Sequence, residues 1–417
     1  MGSPRVIECP FPQCSKRYID VVRRLHLSIG YYPARFPYQI AVKFLAFTQT
    51  RMSGIVLDPF MGSGVACTSA RLLGYHCIGF DINPLAVLLA DVASSKITPR
   101  DRKLLEAALE ELEKYEGKGW RPRWENIHYW YPIEVLHILE KLWGYIKESD
   151  DNSLHFKILK IALARTSRYY SYADPEVPKL YKGRGVEKLE RMLIGKTTSK
   201  IREVILKDVR RRAIKIANAL QEYTMLNPKG PKPRVEEFDV VRRELPSWLE
   251  KIDIVFTSPP YLAAHEYTRS TKLELYWLGL SDAEVRNLRS KEIPYGRIEP
   301  YRIKSETYKE LEERIARTAP QRLRIYQNYF WAVTRALDKI VKLSPRIIGL
   351  FVGPATIAGI PIPIHEILSQ HLTAHGYREE CMHVSDIKAR KLFRKRKNRN
   401  PHGIRKETLI VLTRDFD

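Results

Sequence analysis

The stretch GIVLDPFMGSGVACTSARLLGYHCIGFDINP, Gly54 to Pro84, constrains the fold more than any other part of the chain. An apolar run ending at Val56 and Leu57 meets a glycine turn. Ala66, Ala70 and Leu73 then recur at helical spacing, and Cys77 to Phe80 form a second short apolar run. This order of strand, turn, helix and strand is half of a βαβ unit. Pro84 suits the first turn of a helix that continues through LAVLLADVA. The expected fold is α/β, with a mostly parallel central sheet flanked by helices and a largely helical insertion.

The insertion is read from a change of texture. Residues 101–233 carry charged, helix-period segments such as RKLLEAALEELEKYE and IREVILKDVRRRAIKIANAL, and LNPKGPKPR closes the stretch as a linker. Strand-like runs return in VEEFDVV, IDIVFTS, PRIIGLFVG and ETLIVLT. The expected organisation is therefore 1–100 and 234–417 as two parts of one catalytic domain, with 101–233 inserted between them.

Charge points to the partner. Lys and Arg number 71 against 48 Asp and Glu, a surplus of +23 that must cover surface attractive to polyanions. Nucleic acid leads over anionic membrane, because the longest uncharged run, from Ile347, contains Pro354, Pro361 and Pro363 and reads as a buried strand and a loop. No secretory leader pattern opens the sequence, and five scattered cysteines fit a reducing compartment, so a cytoplasmic protein is expected. Cys9 and Cys14 lack a second ligand pair at zinc-like spacing, and no metal is expected. Abundant Arg and Tyr lean towards a heat-adapted protein.

Gly62 and Gly64 follow a strand and open a helix, where a backbone without side chains can approach a ligand; a plain tight turn is the competing reading. Asp58 ends the first strand and can accept from an amine. Asp81 ends the second, where a carboxylate can take both hydroxyls of a ribose. The pairing suits an adenosine-containing cofactor. A third turn glycine is missing, which disfavours a dinucleotide.

Beyond the insertion, Pro259 and Pro260 stop the strand IDIVF, since proline donates nothing to a ladder, and force a rigid extended turn at its carboxyl end. Such a turn presents acceptors: the Ser258 hydroxyl and the Pro259 carbonyl. Tyr261 adds a flat face. An exocyclic amine held by two acceptors against a ring is steered from sp² towards sp³, freeing its lone pair for attack on an electrophile.

DPFMGSG, GFDINP and TSPPY resemble the cofactor motif, the ribose-binding acidic position and the catalytic motif of the S-adenosylmethionine-dependent amino-methyltransferases of nucleobases. The likeness covers residues about 28–95 and 234–417. It implies a Rossmann-like fold, S-adenosyl-L-methionine as cofactor, and Ser258, Pro259, Pro260 and Tyr261 as the catalytic group. It implies cofactor contacts from Asp58, Pro59, Phe60, Gly62, Ser63 and Gly64, and from Asp81 and Asn83. YYPARFP is similar to the family's segment over the methionine end of the cofactor, adding Tyr32, Pro33, Ala34, Arg35 and Phe36. VEEFDVV resembles the third motif, with Asp239 on the adenine amine. Serine before Pro-Pro-Tyr is the form associated with cytosine N4, whereas Asp or Asn is more typical of adenine N6. The insertion lies before the third motif, a departure from the family's usual order.

The resemblance implies methyl transfer to cytosine N4 in DNA as the first expectation and to N4 of cytidine in structured ribosomal RNA as the second. Adenine N6 methylation and a non-catalytic nucleic-acid-binding protein follow. The densest basic run, from Lys388, offers Arg390, Lys391, Arg394, Lys395, Arg396, Lys397 and Arg399 as nucleic-acid contacts or as a solvated loop. SRYYSYADPEVPKLYKGR, from Ser167, suits base stacking and phosphate contact, or is a packed tyrosine cluster. DVRRRAIK, from Asp208, is a phosphate-binding or a solvated helix face. His265, Glu266 and Tyr267 either shape the base pocket or start a helix. Trp277 and Trp331 read as core.

Overall fold

The computed structural model describes residues 7–13, 16–33, 35–149, 151–177, 179–262, 266–386 and 406–414. The strands in chain order are β1 (Ile55–Asp58), β2 (His76–Asp81), β3 (Arg234–Glu237), β4 (Ile254–Thr257), β5 (Ile347–Val352), β6 (Ala355–Ile357), β7 (Ile360–Ile362), β8 (Arg378–Asp386) and β9 (Lys406–Thr413). Seven of them form one sheet in the order β3-β2-β1-β4-β5-β9-β8. Neighbours from β3 to β5 are parallel, and β9 runs antiparallel to both β5 and β8.

Alternation of side chains along the strands splits the interior into two cores, one on each face of the sheet. Val56, Ile254, Phe256, Ile347 and Val411 point into the first; Leu57, Val255, Ile348, Leu350 and Ile410 point into the second. Strands β4 and β5 are buried along their whole length. That is why they read as continuous apolar runs rather than alternating ones.

The helical stretch fills out the first core. Trp143 of helix Ile133–Ser149 stacks on Trp277 of helix Tyr267–Leu278 at 5.7 Å, and Trp277 donates to the Tyr131 hydroxyl at 2.7 Å. The Tyr223 hydroxyl, from the long helix Thr198–Leu226, donates to the carbonyl of Thr68 at 2.7 Å, just beyond the glycine turn. Residues 101–233 thus share a hydrophobic core with the chain on either side of them. Trp277 and Trp331 are both buried.

Three features correct the sequence reading. The stretch after β5 carries the hairpin β6–β7, not just a loop. Strand β8 went unread because REECMHVSD mixes charge with partial burial on a sheet edge, giving no clean period. Five reduced cysteines were expected, but Cys9 is disulfide-bonded to Cys381. A bridge between Glu8 and Met382 lays the N-terminal segment along β8 and brings the two Cα atoms to 5.0 Å, although 372 residues separate them in sequence. Cys67 and Cys77 are free and buried. No helix among the described residues is long and apolar enough to cross a membrane.

Candidate active site

The sheet order reverses between β1 and β4, which lie side by side with Val56 opposite Ile254 and Leu57 opposite Val255. Chains leaving two such strands diverge to opposite faces and open a crevice at their carboxyl ends. DPFMGSG leaves β1 there and SPPY leaves β4. Asp81 ends β2 next door, and Asp239 lies two residues past β3.

A cleft opens along this edge. Tyr32 and Pro33, Pro59, Phe60 and Gly62, Asp81 and Asn83, Asp239, and Ser258 and Pro260 all line it. Five separate sequence segments therefore converge on one cavity. Asp81 fixes the turn: Oδ2 accepts from the Gly62 N–H at 2.9 Å and Oδ1 from the Asn83 N–H at 2.8 Å. Burial pushes its carboxyl up to about 6. Asn83 caps helix Pro84–Ala93 by accepting from Leu85 N–H at 3.0 Å, and its Nδ2 donates to the Thr271 hydroxyl at 3.3 Å.

The remaining motif residues stand behind this wall. Asp58 is buried and absent from the lining; its Oδ1 accepts from the Thr257 hydroxyl at 2.6 Å and from the Phe60 N–H at 3.2 Å. It clips β1 to β4, and burial lifts its carboxyl to about 7. Gly64 faces helix Pro84–Ala93, where an added Cβ would come within 2.7 Å of the Ala90 Cβ. Arg35 ties the YYPARFP segment to the turn through the Ser63 hydroxyl at 3.2 Å, and Phe36 packs on Phe256 at 4.7 Å. Tyr261 is buried and donates its hydroxyl to Glu407 at the start of β9. Pro259 does not line the cleft. Ala34, His265 and the basic residues Arg390, Lys391, Arg394, Lys395, Arg396, Lys397 and Arg399 lie outside the described residues.

One wall, apart from Tyr267, was missed by sequence reasoning. Tyr267, Thr268, Leu288, Lys291, Glu292 and Ile293 also line the cleft. Tyr267 does start a helix, and it also lines the cavity. Glu292 is 5% exposed; its Oε1 accepts from the Thr268 hydroxyl at 2.6 Å and from the Thr268 N–H, while its buried Oε2 has no hydrogen-bond partner. Burial holds its carboxyl above the usual range. A lone acidic residue in SKEIPYG carries no motif that could have announced it.

Away from the cleft, Asp338, His371 and His375 converge among the described residues. The Lys304 N–H donates to Nδ1 of His371 at 3.1 Å, which puts the proton of a neutral ring on Nε2, 2.9 Å from Asp338. A metal-binding histidine is wired the other way round, donating from its outer nitrogen. His371 acts here as a structural donor.

Residues 12–91 match the family N6_N4_Mtase, DNA methylase, over the segment that contains the glycine turn and Asp81. In this segment, and through the relatives it matches, the chain is similar to the S-adenosylmethionine-dependent N4/N6 amino-methyltransferases. The Type II methyltransferase M.MvaI of Kocuria varians is 27% identical over 278 residues, 63% of this chain and 58% of that protein. The Type II methyltransferase M.BsoBI of Geobacillus stearothermophilus is 24% identical over 268 residues, 57% of this chain and 50% of that protein. The chain thus matches little more than half the length of either relative. Among solved structures, the rRNA methyltransferase aviRa of Streptomyces viridochromogenes superposes with a TM-score of 0.34 at 12% identity, covering 94% of this chain and 92% of its own. S-adenosylmethionine is the methyl donor that this similarity implies.

Proposed function

We propose that this chain transfers a methyl group from S-adenosylmethionine to an exocyclic amine of a base in nucleic acid, with cytosine N4 in DNA as the target. The observation that carries the reading is the convergence of Gly62, Asp81, Asp239 and Ser258 on one cleft at the point where the strand order reverses. The DNA methylase family and the Type II names of the relatives favour DNA, and serine before Pro-Pro-Tyr favours cytosine.

The residues present fit an adenosine-bearing cofactor. Three acidic side chains, Asp81, Asp239 and Glu292, line the cleft, and the buried Oε2 of Glu292 lacks a donor. When bound, the sulfonium cofactor supplies an electrophilic methyl. Asp81 and Glu292 accept from its hydroxyl or ammonium donors, and Asp239 accepts from the adenine amine. Gly62 keeps the turn low: a Cβ there would come within 3.3 Å of the Tyr32 ring. Ser258 and the Pro259 carbonyl take the two hydrogens of the target amine and localise its lone pair. The Tyr261 ring, anchored by its hydroxyl on Glu407, orients the base. The target cytosine leaves its stack to reach the cleft, and the amine proton is lost after transfer, without a covalent enzyme intermediate.

The test is incubation with methyl-labelled S-adenosylmethionine and unmodified DNA or ribosomal RNA, followed by nucleoside mass spectrometry. Label in N4-methyldeoxycytidine is expected. Label only in methylated cytidine from RNA would transfer the reading to RNA, and label only in N6-methyladenine would overturn the choice of base. Ser258→Ala should retain cofactor affinity and lose about 100-fold or more in kcat, the scale of one lost transition-state hydrogen bond. Loss of both together would make SPPY a structural motif.

A further inference from the structure

Two segments whose roles the sequence left open come together in space, beside the cleft. Arg165, on helix Leu154–Tyr169, lays its stem against Gly30, where an added Cβ would be 2.9 Å from the Arg165 Cδ, and donates to the Ser28 carbonyl. Arg35 donates to the Gly30 carbonyl, to Ser63 Oγ and to the Tyr38 hydroxyl at 3.1 Å. On helix Thr198–Leu226, Arg212 stands 5.3 Å from the centre of the Tyr169 ring, and its buried Nε has no acceptor. Lys188 lies 4.3 Å from the centre of the same ring and donates to the Tyr169 carbonyl.

Among the described residues, none of these four cations has a carboxylate within ion-pair distance. Asp208 acts on Arg212 from farther away, but its oxygens are already engaged, Oδ1 by Arg211 at 2.6 Å and Oδ2 by the Tyr170 hydroxyl at 2.9 Å. Burial and neighbouring cations act on Arg165 and Lys188 in the same direction. Arg165 is lowered to about 10 and Lys188 to about 8, each by burial first and by Arg212 next.

Half-buried cations held together without a directly paired carboxylate are costly, since Glu274, Asp174 and Asp208 act on them only from a distance, and an anion from outside lowers that cost. Four segments contribute, the YYPARFP stretch and helices Leu154–Tyr169, Gly185–Leu193 and Thr198–Leu226, so the face is broader than one small ion requires. The half-exposed Tyr169 ring sits between Lys188 and Arg212. Gly30 precedes Tyr32 and Pro33 of the cleft wall by two and three residues.

We propose that Arg35, Arg165, Lys188 and Arg212 form a phosphate-binding face that seats the backbone of duplex DNA beside the cleft, so that part of the 101–233 stretch is a nucleic-acid-contacting surface. The proposal rests on the reading of this chain as a nucleic-acid methyltransferase. Phosphate contacts of this kind fix register on the duplex without reading its sequence.

The experiment is fluorescence anisotropy of a labelled duplex with the full-length protein across a salt series, alongside calorimetric S-adenosylmethionine binding and thermal melting. Arg212→Gln and Lys188→Gln keep most of each stem and remove a charge. Each is expected to weaken duplex binding several-fold and to reduce the slope of log K against log salt by about 1, and the double variant by about 2. Cofactor affinity should be unchanged. Arg317→Gln, on the exposed side of helix Glu306–Thr318, removes the same charge elsewhere and should leave the slope alone. Equal slopes for the double variant and Arg317→Gln would overturn the proposal. So would stabilisation by inorganic phosphate that the double variant loses without any change in slope, the mark of a small-anion site. If the wild-type protein binds cofactor and methylates RNA but does not bind duplex, the phosphate face for DNA falls while methyl transfer stands. If it neither binds cofactor nor transfers methyl, the functional reading itself falls.

Discussion

Glu292 and Asp58 invert what their positions in the sequence suggest. Asp58 sits inside a recognisable motif yet faces away from the cleft, where it clips two strands through Thr257. Glu292 belongs to no motif yet presents an unbonded oxygen at the cavity wall. Glu292→Gln keeps an acceptor for Thr268 and replaces the free carboxylate oxygen with an amide donor. It is expected to weaken S-adenosylmethionine binding about tenfold, the scale of one charge-assisted hydrogen bond, with an unchanged melting temperature. Equal loss of affinity and melting temperature would reduce Glu292 to a helix cap. For Asp58, burial raises the folded-state value to about 7 from an ordinary 3.8, so between these values the folded chain holds a proton that the unfolded chain has released. Its contribution to stability is therefore greatest at low pH and falls as pH rises through that window, by at most about 4 kcal/mol. Urea titrations from about pH 4 to pH 8 should show a smaller fall for Asp58→Asn, whose amide oxygen can still accept from Thr257 and Phe60.

At the scale of the element, the turn from β1 into helix Val65–Leu72 contains two glycines with different tasks. Gly62 faces the cleft with φ 53°, whereas Gly64 adopts φ 79° and packs against Ala90. Gly74 has a similar φ of 83° but nothing within 4 Å of an added Cβ. The pair separates backbone strain from packing. Gly74→Ala should cost about 1 kcal/mol, the penalty of the left-handed region alone. Gly64→Ala should cost about 2–4 kcal/mol because helix Pro84–Ala93 must also shift. Denaturant unfolding of the two variants checks the difference, and similar losses would mean that the helix moves aside freely.

Across the whole molecule, the sheet joins segments far apart in sequence, and the last two strands complete it. β9 supplies Glu407 to the Tyr261 hydroxyl, and β8 carries Cys381, which bonds Cys9. The disulfide therefore pins the N-terminal segment to the far edge of the sheet. Reduction should lower the melting temperature, with a loss of about 2–4 kcal/mol in stability, the usual effect of such a cross-link. A Cys9→Ser variant should melt at the reduced protein's temperature and ignore the reductant. A wild-type melting temperature unaffected by reductant would show that the bond adds nothing to stability.

The sequence by itself determined the α/β class and the chemistry of the strand ends. Glycine after a strand, an acidic residue closing the next one and Ser-Pro-Pro-Tyr each have a local physical requirement, so they are legible in a few consecutive residues. Convergence is a different kind of fact. That β1 lies beside β4 and so faces Gly62 and Ser258 into one cleft depends on a strand pairing across nearly 200 residues, 58 to 257, which no local pattern encodes. The same holds for Glu292, whose role comes from the wall it completes, and for Cys9, whose partner was named only by the strand it lies against. The tyrosine-rich and arginine-rich segments were each ambiguous alone. Packing Tyr169 against Lys188 and Arg212 makes them one face, because the balance of charge is a property of what surrounds a group in space, not of what precedes it in the chain.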